Sequence, residues 1–223
     1  MAKVIKALIP VRSGSQRVKN KNIRPFADSN LLSIKIGQMK RIKGIDGIIV
    51  NSNSEEMLNI AKSLSVEAVK RDEYFASSTV PMNEVYKNMA ENCHCDTVVF
   101  ADATNPLIED KTIENCIKTY FENIDKYDSV ATVNEVKLFM WLNGKPINYD
   151  ANNKPKSQDL PNIVALNHAI CIIPRELMIS KKDIIGYNPN FIKINDIEAT
   201  DIDNNIDFEF AEYMYKKYRL GVI

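Results

Sequence analysis

Short apolar runs that alternate with helix-period stripes constrain the fold of this chain more than any other feature. "KALIPV" (Lys6–Val11), Gly47–Val50, Thr97–Phe100 and Ser129–Val133 each read as a buried strand. Met57, Ile60, Ala61 and Leu64 repeat with helical spacing behind an expected Asn53 cap, with Glu56 three residues on. Ile113, Cys116, Ile117, Tyr120 and Phe121 make a second stripe behind an expected Asp110 cap, and stripes of this kind pack against a sheet. Strands alternating with helices predict an α/β fold, a mostly parallel sheet with helices on both faces. At 223 residues the length suits one domain over residues 1–223. Residues 137–166 break the alternation: "FMWLNGKPINYDANNKPKSQDLPN" holds the only Trp and three prolines, and reads as an irregular excursion of hairpins or loops.

Sheets of this class bind ligands beyond the carboxyl ends of their strands. That rule selects "RSGSQRVKNKN", "NSNSEE", "ADATNP" and, later in the chain, "TDIDNN". Lys+Arg and Asp+Glu balance at 29 each, so no global charge points to nucleic acid or a membrane surface, and an anionic ligand has to be held by local charge. No apolar run reaches the roughly 18 residues of a membrane span, and the N-terminus carries no signal-peptide pattern, so a cytoplasmic protein is expected. The four cysteines read as reduced thiols. Cys93, His94 and Cys95 are too close in sequence for an ordinary metal cage, and Cys116 and Cys171 sit among core residues.

The first loop concentrates Arg12, Arg17, Lys19, Lys21 and Arg24 around a single glycine. Backbone amides near Gly14, the hydroxyls of Ser13 and Ser15, and the charges of Arg12 and Lys21 suit phosphate oxygens; a solvated basic turn is the alternative. The loop is neither a Walker sequence nor a GxGxxG fingerprint. In "TDIDNN", Asp201 and Asp203 fall on one side of an extended chain and together suit Mg²⁺, unless they serve only as acids at a helix N-terminus. Ile206, Phe210, Tyr213 and Met214 follow with helical spacing. Asp102, Thr104 and Asn105 suit hydrogen bonds to a base or sugar, or a helix-entry turn before Pro106. Arg71 is a phosphate candidate, or else the partner of Asp72 or Glu73 in an ion pair.

Taken in order, these segments resemble the CMP-acidic-sugar synthetase family, the acylneuraminate (CMP-sialic acid) cytidylyltransferases and their relatives. "IPVRSGSQRVKNKNIRPF" is similar to the family's PARGGSK-type nucleotide loop, "KRDEYFASST" to its RP-x-x-L/F-A-x-D-x-T segment and "ADATNPL" to its QPTSPL. "SQDLPNIVALNHAICII" is similar to its R-Q-x-LP…NGAIYI region, and "DIDNNIDFEFAE" to its DID-x-x-x-DF-x-x-AE ending. The resemblance implies a Rossmann-like nucleotidyltransferase fold and in-line attack of a sugar's anomeric hydroxyl on the α-phosphorus of CTP, with Mg²⁺ as cofactor and pyrophosphate leaving.

Carried onto these positions, the resemblance implies Arg12, Ser15, Lys21 and Asn22 around the CTP phosphates and nucleotide, with Arg71 on the nucleotide side. It implies Asp201 and Asp203 at the metal, Asn167, Gln158 and Asp102 on the acceptor side, and a homodimer built on the excursion. Arg12, Lys21, Asp201 and Asp203 carry the catalytic expectation. The implied acceptor is a nonulosonic acid such as sialic, legionaminic or pseudaminic acid, with 3-deoxy-octulosonate, an unusual acceptor and an inactive nucleotide-binding relative as alternatives. A sugar-1-phosphate nucleotidyltransferase is disfavoured by the late Asp201–Asp203 pair. Several positions depart from the pattern. Ser13 and His168 stand where the family has glycine, Gln16 where it has lysine, Ser78 where it has aspartate and Asp102 where it has glutamine. Ser157 and Ala165 stand where acceptor-side arginines are common.

Overall fold

A computed structural model describes residues 3–222; residues 1, 2 and 223 of the expected domain lie outside the described residues. Strands β1 (Ile5–Pro10), β2 (Gly47–Ser52), β3 (Glu67–Lys70) and β4 (Thr97–Ala101) form a parallel half-sheet in the order β3-β2-β1-β4. The chain continues through β5 (Ser129–Val136), a small hairpin of β6 (Trp141–Leu142) and β7 (Lys145–Pro146), β8 (Ile163–Pro174) and β9 (Pro189–Lys193). β8 runs antiparallel to both β4 and β5, and β9 joins β5 in parallel, which completes a seven-stranded sheet of order β3-β2-β1-β4-β8-β5-β9. The expected α/β class with a mostly parallel sheet is what the chain adopts.

Side chains alternate across β1 and β4, and both faces are covered. Ala7, Ile9, Val99 and Ala101 pack into one cluster with α1 (Leu31–Arg41), α2 (Glu55–Ser63) and later helices. Leu8, Val98 and Phe100 pack into the other. α3 (Glu73–Ala76) and α4 (Met82–Glu91) precede β4, α5 (Asp110–Glu122) follows it, α6 (Arg175–Lys181) follows β8, and α7 (Asn205–Tyr215) comes near the end. Residues of α1, α5 and α7 join the first cluster through Ile36, Cys116 and Phe208. Residues of α4 and α6 join the second through Val85 and Met178. Each wholly buried Leu or Ile contributes about 1.5–3 kcal/mol, so this two-sided sheet is the main source of stability.

Local details differ from the sequence expectations in instructive ways. The N-cap of α2 is Ser54, whose side chain accepts from the Met57 amide, while Asn53 turns to the first loop. α5 begins after Glu109 without a side-chain cap, because the Asp110 carboxylate is engaged by Arg41 and Gln38. The expected excursion at 137–166 is shorter at its far end, since Ile163–Leu166 already pair with β5. On α7 the buried side chains are Phe208 and Ala211; Ile206, Phe210 and Tyr213 face outward, with Ile206 78% exposed.

β8 is irregular. Its pairing with β5 passes from Ala131↔Cys171 to Val133↔Leu166, leaving extra residues opposite Thr132. His168 lies in this bulge with φ +55°, the left-handed region that favours glycine, which is what the resembling motif has there. At the β9 edge, Asp128 Oδ2 accepts from the amides of Tyr187 (2.7 Å) and Asn188 (3.0 Å), and the Gly186 amide donates to Ser129 Oγ (2.9 Å). A Cβ on Gly186 would sit 2.0 Å from Asp128 Oδ1. Gly186→Ala is therefore expected to lower stability by about 2–4 kcal/mol, measured by urea denaturation, because the clash breaks the bonds that pin β9 to β5.

Candidate active site

A cleft of about 570 Å³ opens at the carboxyl ends of β1 and β4, within the size range of small-molecule sites. Arg12, Ser15, Lys21 and Asn22 reach it from the first loop, and Arg71 from the end of β3. Asp102 and Thr104 line its floor beyond β4. The opposite wall is apolar, formed by Phe75, Val80, Val85, Tyr86 and Phe100. One side thus suits an anion and the other an uncharged ring or alkyl group.

Arg12 donates to the Ala76 carbonyl (2.8 Å). Arg71 is buried at 4% exposure, with Nε on Asn51 Oδ1 (2.6 Å) and a terminal nitrogen on the Asn51 carbonyl (2.9 Å). Burial, and then the neighbouring Arg12 charge, push the Arg71 guanidinium down to about 10. Among the described residues it has no carboxylate partner: Asp72 caps the Tyr74 amide and Glu73 accepts from Asn53. The ion pair weighed for Arg71 is not formed, and two close guanidiniums without a counter-charge attract an anion. Ser13 does not line the cleft. Its amide donates to Asn53 Oδ1 (3.0 Å) and its hydroxyl accepts from Asn53 Nδ2 (2.8 Å), which ties the loop to β2 from behind.

The other end of the loop meets the Asp201 segment. Lys21 Nζ donates to the Ile202 carbonyl, between the two aspartates, and Arg17 pairs with Asp203 at 2.7 Å. Burial lowers the Lys21 pKa, while the charges of Asp201 and Asp203 oppose that shift. The Asp201 carboxyl is raised above its usual range, first by burial; the Asp203 charge adds to the rise, and a hydrogen bond from Thr104 and the charge of Lys21 oppose it. A buried Asp201 carboxyl raised in this way, beside a second carboxylate, suits a hard divalent cation, which favours its ionised form. Among the described residues no third His, Cys, Asp or Glu joins them, so Mg²⁺ held here would keep coordination positions for phosphate oxygens and water.

Asn167 is buried behind the floor, in the β8 bulge. Its Oδ1 accepts from Thr132 Oγ1 (2.7 Å) and the Ala169 amide (3.2 Å), and its Nδ2 has no partner. Asn105 donates to the Thr200 carbonyl (3.1 Å) while its Oδ1 is unmatched, and Asn22 Oδ1 on the cleft is unmatched too. A buried amide atom without a partner costs about 1–3 kcal/mol, and of the three only Asn22 lines the cleft, where a ligand group would recover it. Gln158 is exposed on the short 3₁₀ turn Ser157–Asp159 and does not line the cleft. Sequence reasoning missed Tyr86, on the apolar wall, and Lys35. Lys35 is wholly buried in α1, with Nζ on Gln38 Oε1 (2.9 Å) and the Asn105 carbonyl (3.0 Å), behind the β4 loop. Burial pushes it down to about 7. A lysine one turn from both Leu31 and Met39, on the apolar stripe of α1, was the available signal.

Asp102 is partly buried at the cleft floor. Burial, then the Asp201 charge, push its carboxyl from 3.8 up to about 7, with Lys35 and Lys21 pulling the other way. Between those values the folded protein holds a proton that the unfolded chain has released, so this contribution to stability falls as pH rises from about 4 to about 7. Asp102→Asn is expected to exceed the wild type in stability by at most about 4 kcal/mol near pH 7, with the gain vanishing below about pH 4. Urea denaturation across that range measures it; a pH-independent difference would remove the assignment.

The family model described as cytidylyltransferase matches residues 6–218. The chain is 27% identical over 225 residues to the post-translational flagellin modification protein B of Campylobacter coli, covering 95% of each. It is 24% identical over 220 residues to a pseudaminic acid cytidylyltransferase of Campylobacter jejuni, covering 94% of this chain and 95% of that one. Its fold is similar to that of a CMP:2-keto-3-deoxy-manno-octonic acid synthetase complexed with CTP, with a TM-score of 0.69 and 10% identity over 96% of this chain and 99% of the other. Asp201 and Asp203 do not line the cleft itself; they adjoin it through Lys21 and Arg17, which do. A cleft lined by a basic loop, on a chain that matches the family over nearly its whole length, leads to one conclusion: the chain belongs to the cytidylyltransferase family and is a CTP-dependent nucleotidyltransferase.

Proposed function

We propose that this chain, as one catalytic unit over residues 1–223, transfers the cytidylyl group of CTP to the anomeric hydroxyl of a nonulosonic acid such as pseudaminic, legionaminic or sialic acid. The products are a CMP-sugar and pyrophosphate. The observation that carries this reading is the contact of Lys21 with the Ile202 carbonyl, which sets the phosphate-binding loop against the Asp201–Asp203 pair. Relatives named for pseudaminic acid and for N,N'-diacetyllegionaminic acid support the acceptor class.

In this reading Arg12 and Arg71 orient the nucleotide, Ser15 donates to a phosphate oxygen, and Asn22 Oδ1 accepts from a ribose hydroxyl. Thr104 and Asp102 line the acceptor end. Lys21 sits where charge builds on the leaving pyrophosphate, and a fixed ammonium there favours the transition state over the ground state. Asp201 and Asp203 would hold Mg²⁺, which neutralises phosphate charge at the reacting phosphorus. Holding it requires Asp203 to exchange the exposed Arg17 for the cation, a small change because an exposed ion pair is worth about 1 kcal/mol or less.

The exposed Leu138, Trp141, Leu142 and Ile147 of the excursion support a homodimer, and the four free thiols support a reducing, cytoplasmic setting. No helix among the described residues is long and apolar enough to cross a membrane.

Pyrophosphate release from CTP with Mg²⁺, over a panel of nonulosonic acids and 3-deoxy-octulosonate, tests the reaction. One nonulosonic acid is expected to support turnover; silence with CTP still bound would mean an inactive relative. Asp203→Asn is expected to lower kcat by about 100-fold or more while CTP still binds. Lys21→Ala is expected to lower kcat/KM for CTP by about 10–100-fold, and an unchanged value would take Lys21 out of the site.

A further inference from the structure

Away from the cleft, at the amino-terminal end of β4, the turn from α4 brings two thiols together. Cys93 Sγ and Cys95 Sγ lie 3.5 Å apart, and the Cys95 amide donates to the Cys93 carbonyl at 3.1 Å. That bond closes a three-residue γ-turn on His94, which draws the first and third Cα atoms towards the separation a disulfide spans. The flanks are fixed. Arg175 Nε donates to the Ala90 carbonyl (2.9 Å), the Arg175 amide to the Asp96 carbonyl (3.0 Å), and the Val4 amide to Asp96 Oδ2 (2.7 Å). A disulfide, with its S–S length of about 2 Å, requires the sulfurs to close a remaining gap of about 1.5 Å.

We propose that Cys93 and Cys95 form a redox-active dithiol that a peroxide oxidises to a reversible intramolecular disulfide. The two thiols differ in access: Cys93 is wholly buried, and Cys95 is only partly buried. They differ in character as well. A hydrogen bond from Cys93, the Lys6 amide, and the charges of Lys6 and Arg175 favour the Cys95 thiolate, whereas the Cys93 thiol is pushed up by its bond to Cys95 and by burial. A partly accessible, activated thiolate beside a buried second thiol is the arrangement of a reacting and a resolving cysteine. Among the described residues no third ligand accompanies the pair, which favours a sulfur–sulfur bond over a closed metal cage.

The steps balance. The Cys95 thiolate attacks one peroxide oxygen, the O–O bond breaks, and hydroxide leaves and takes up a proton as water, giving a sulfenic acid. Cys93 sulfur then attacks Cys95 Sγ, the S–S bond forms, the S–O bond breaks, and the Cys93 proton leaves with the hydroxide as a second water. Two thiols are oxidised by two electrons and one peroxide is reduced to two waters. A thiol reductant reverses the product by exchange.

The test uses the whole purified protein and needs no turnover. After hydrogen peroxide, free thiols are alkylated with iodoacetamide in denaturant and the digest is read by mass spectrometry. The peptide holding both cysteines is expected to lose two hydrogens and take no alkyl group, and dithiothreitol is expected to restore both sites. Cys116 and Cys171, both buried with thiols pushed up, serve as internal controls and are expected to stay reduced. In the native protein, Cys95 is expected to react at least about tenfold faster than either control. In Cys93→Ser the oxidation is expected to stop at a sulfenic acid that dimedone traps. Sulfinic acid at Cys95 with Cys93 still free, a disulfide between chains, or a Cys95 rate equal to that of Cys116 would each overturn the proposal, and the wild-type protein alone reports all three.

Discussion

Lys21 donates a hydrogen bond to the carbonyl of Ile202 across 181 positions of sequence, and the cleft depends on that seam. Its ammonium is half-sunk among packed atoms and is held there against desolvation by Asp201 and Asp203. The same seam carries the Arg17–Asp203 pair, a bond from Arg24 to Asn205 Oδ1 and the stacking of the Arg24 guanidinium 4.5 Å from the Phe208 ring. Phe26 adds an edge contact with Phe208 at 5.3 Å. A loop with a surplus of positive charge would otherwise repel itself into solvent. Here the late acidic segment gives it a shape, and a shaped cationic loop binds phosphate with less ordering cost than a mobile one.

Charge is handled differently behind the floor. Lys35 is wholly enclosed there and Asp102 is partly buried on the floor itself, each displaced towards neutrality of charge by the loss of water. A chain selected only for stability would replace such groups with apolar ones, since buried ions return less than their desolvation costs unless every bond is made. Retaining them beside unmatched amides of Asn22, Asn105 and Asn167 concentrates polar cost at one place, as expected of a site shaped for a ligand.

Much of this was legible from residue order because β1, β2, β4 and β5 are buried on both faces and so are written as unbroken apolar runs. β3 and β9 lie at the sheet edges and are only half-covered, so "EAVK" and "PNFIK" carry no comparable signal. β8 was hidden by Asn167 and His168, polar residues that a regular strand would not hold and that the bulge explains. At the cleft, Arg12, Lys21, Arg71 and Asp102 were readable as charge placed after strands. Ser13 was not placed correctly, because its partner Asn53 lies on another loop and was itself read as a cap. Lys35 escaped for the opposite reason: an isolated lysine on an apolar stripe looks like an ordinary surface residue until its surroundings are known.

The reversed direction of β8 bears on how such a chain can diversify. Because β8 runs against its neighbours, the excursion departs from the end of β5 and returns into the adjoining start of β8, Val136 facing Ile163. Residues 137–162 therefore form a detour whose two ends are already clamped to each other. Its length and composition can drift without altering the register of β1, β2, β3 and β4, which hold the basic loop and Arg71. The architecture separates the half-sheet that holds the basic loop from a detour whose changes are mechanically insulated from it.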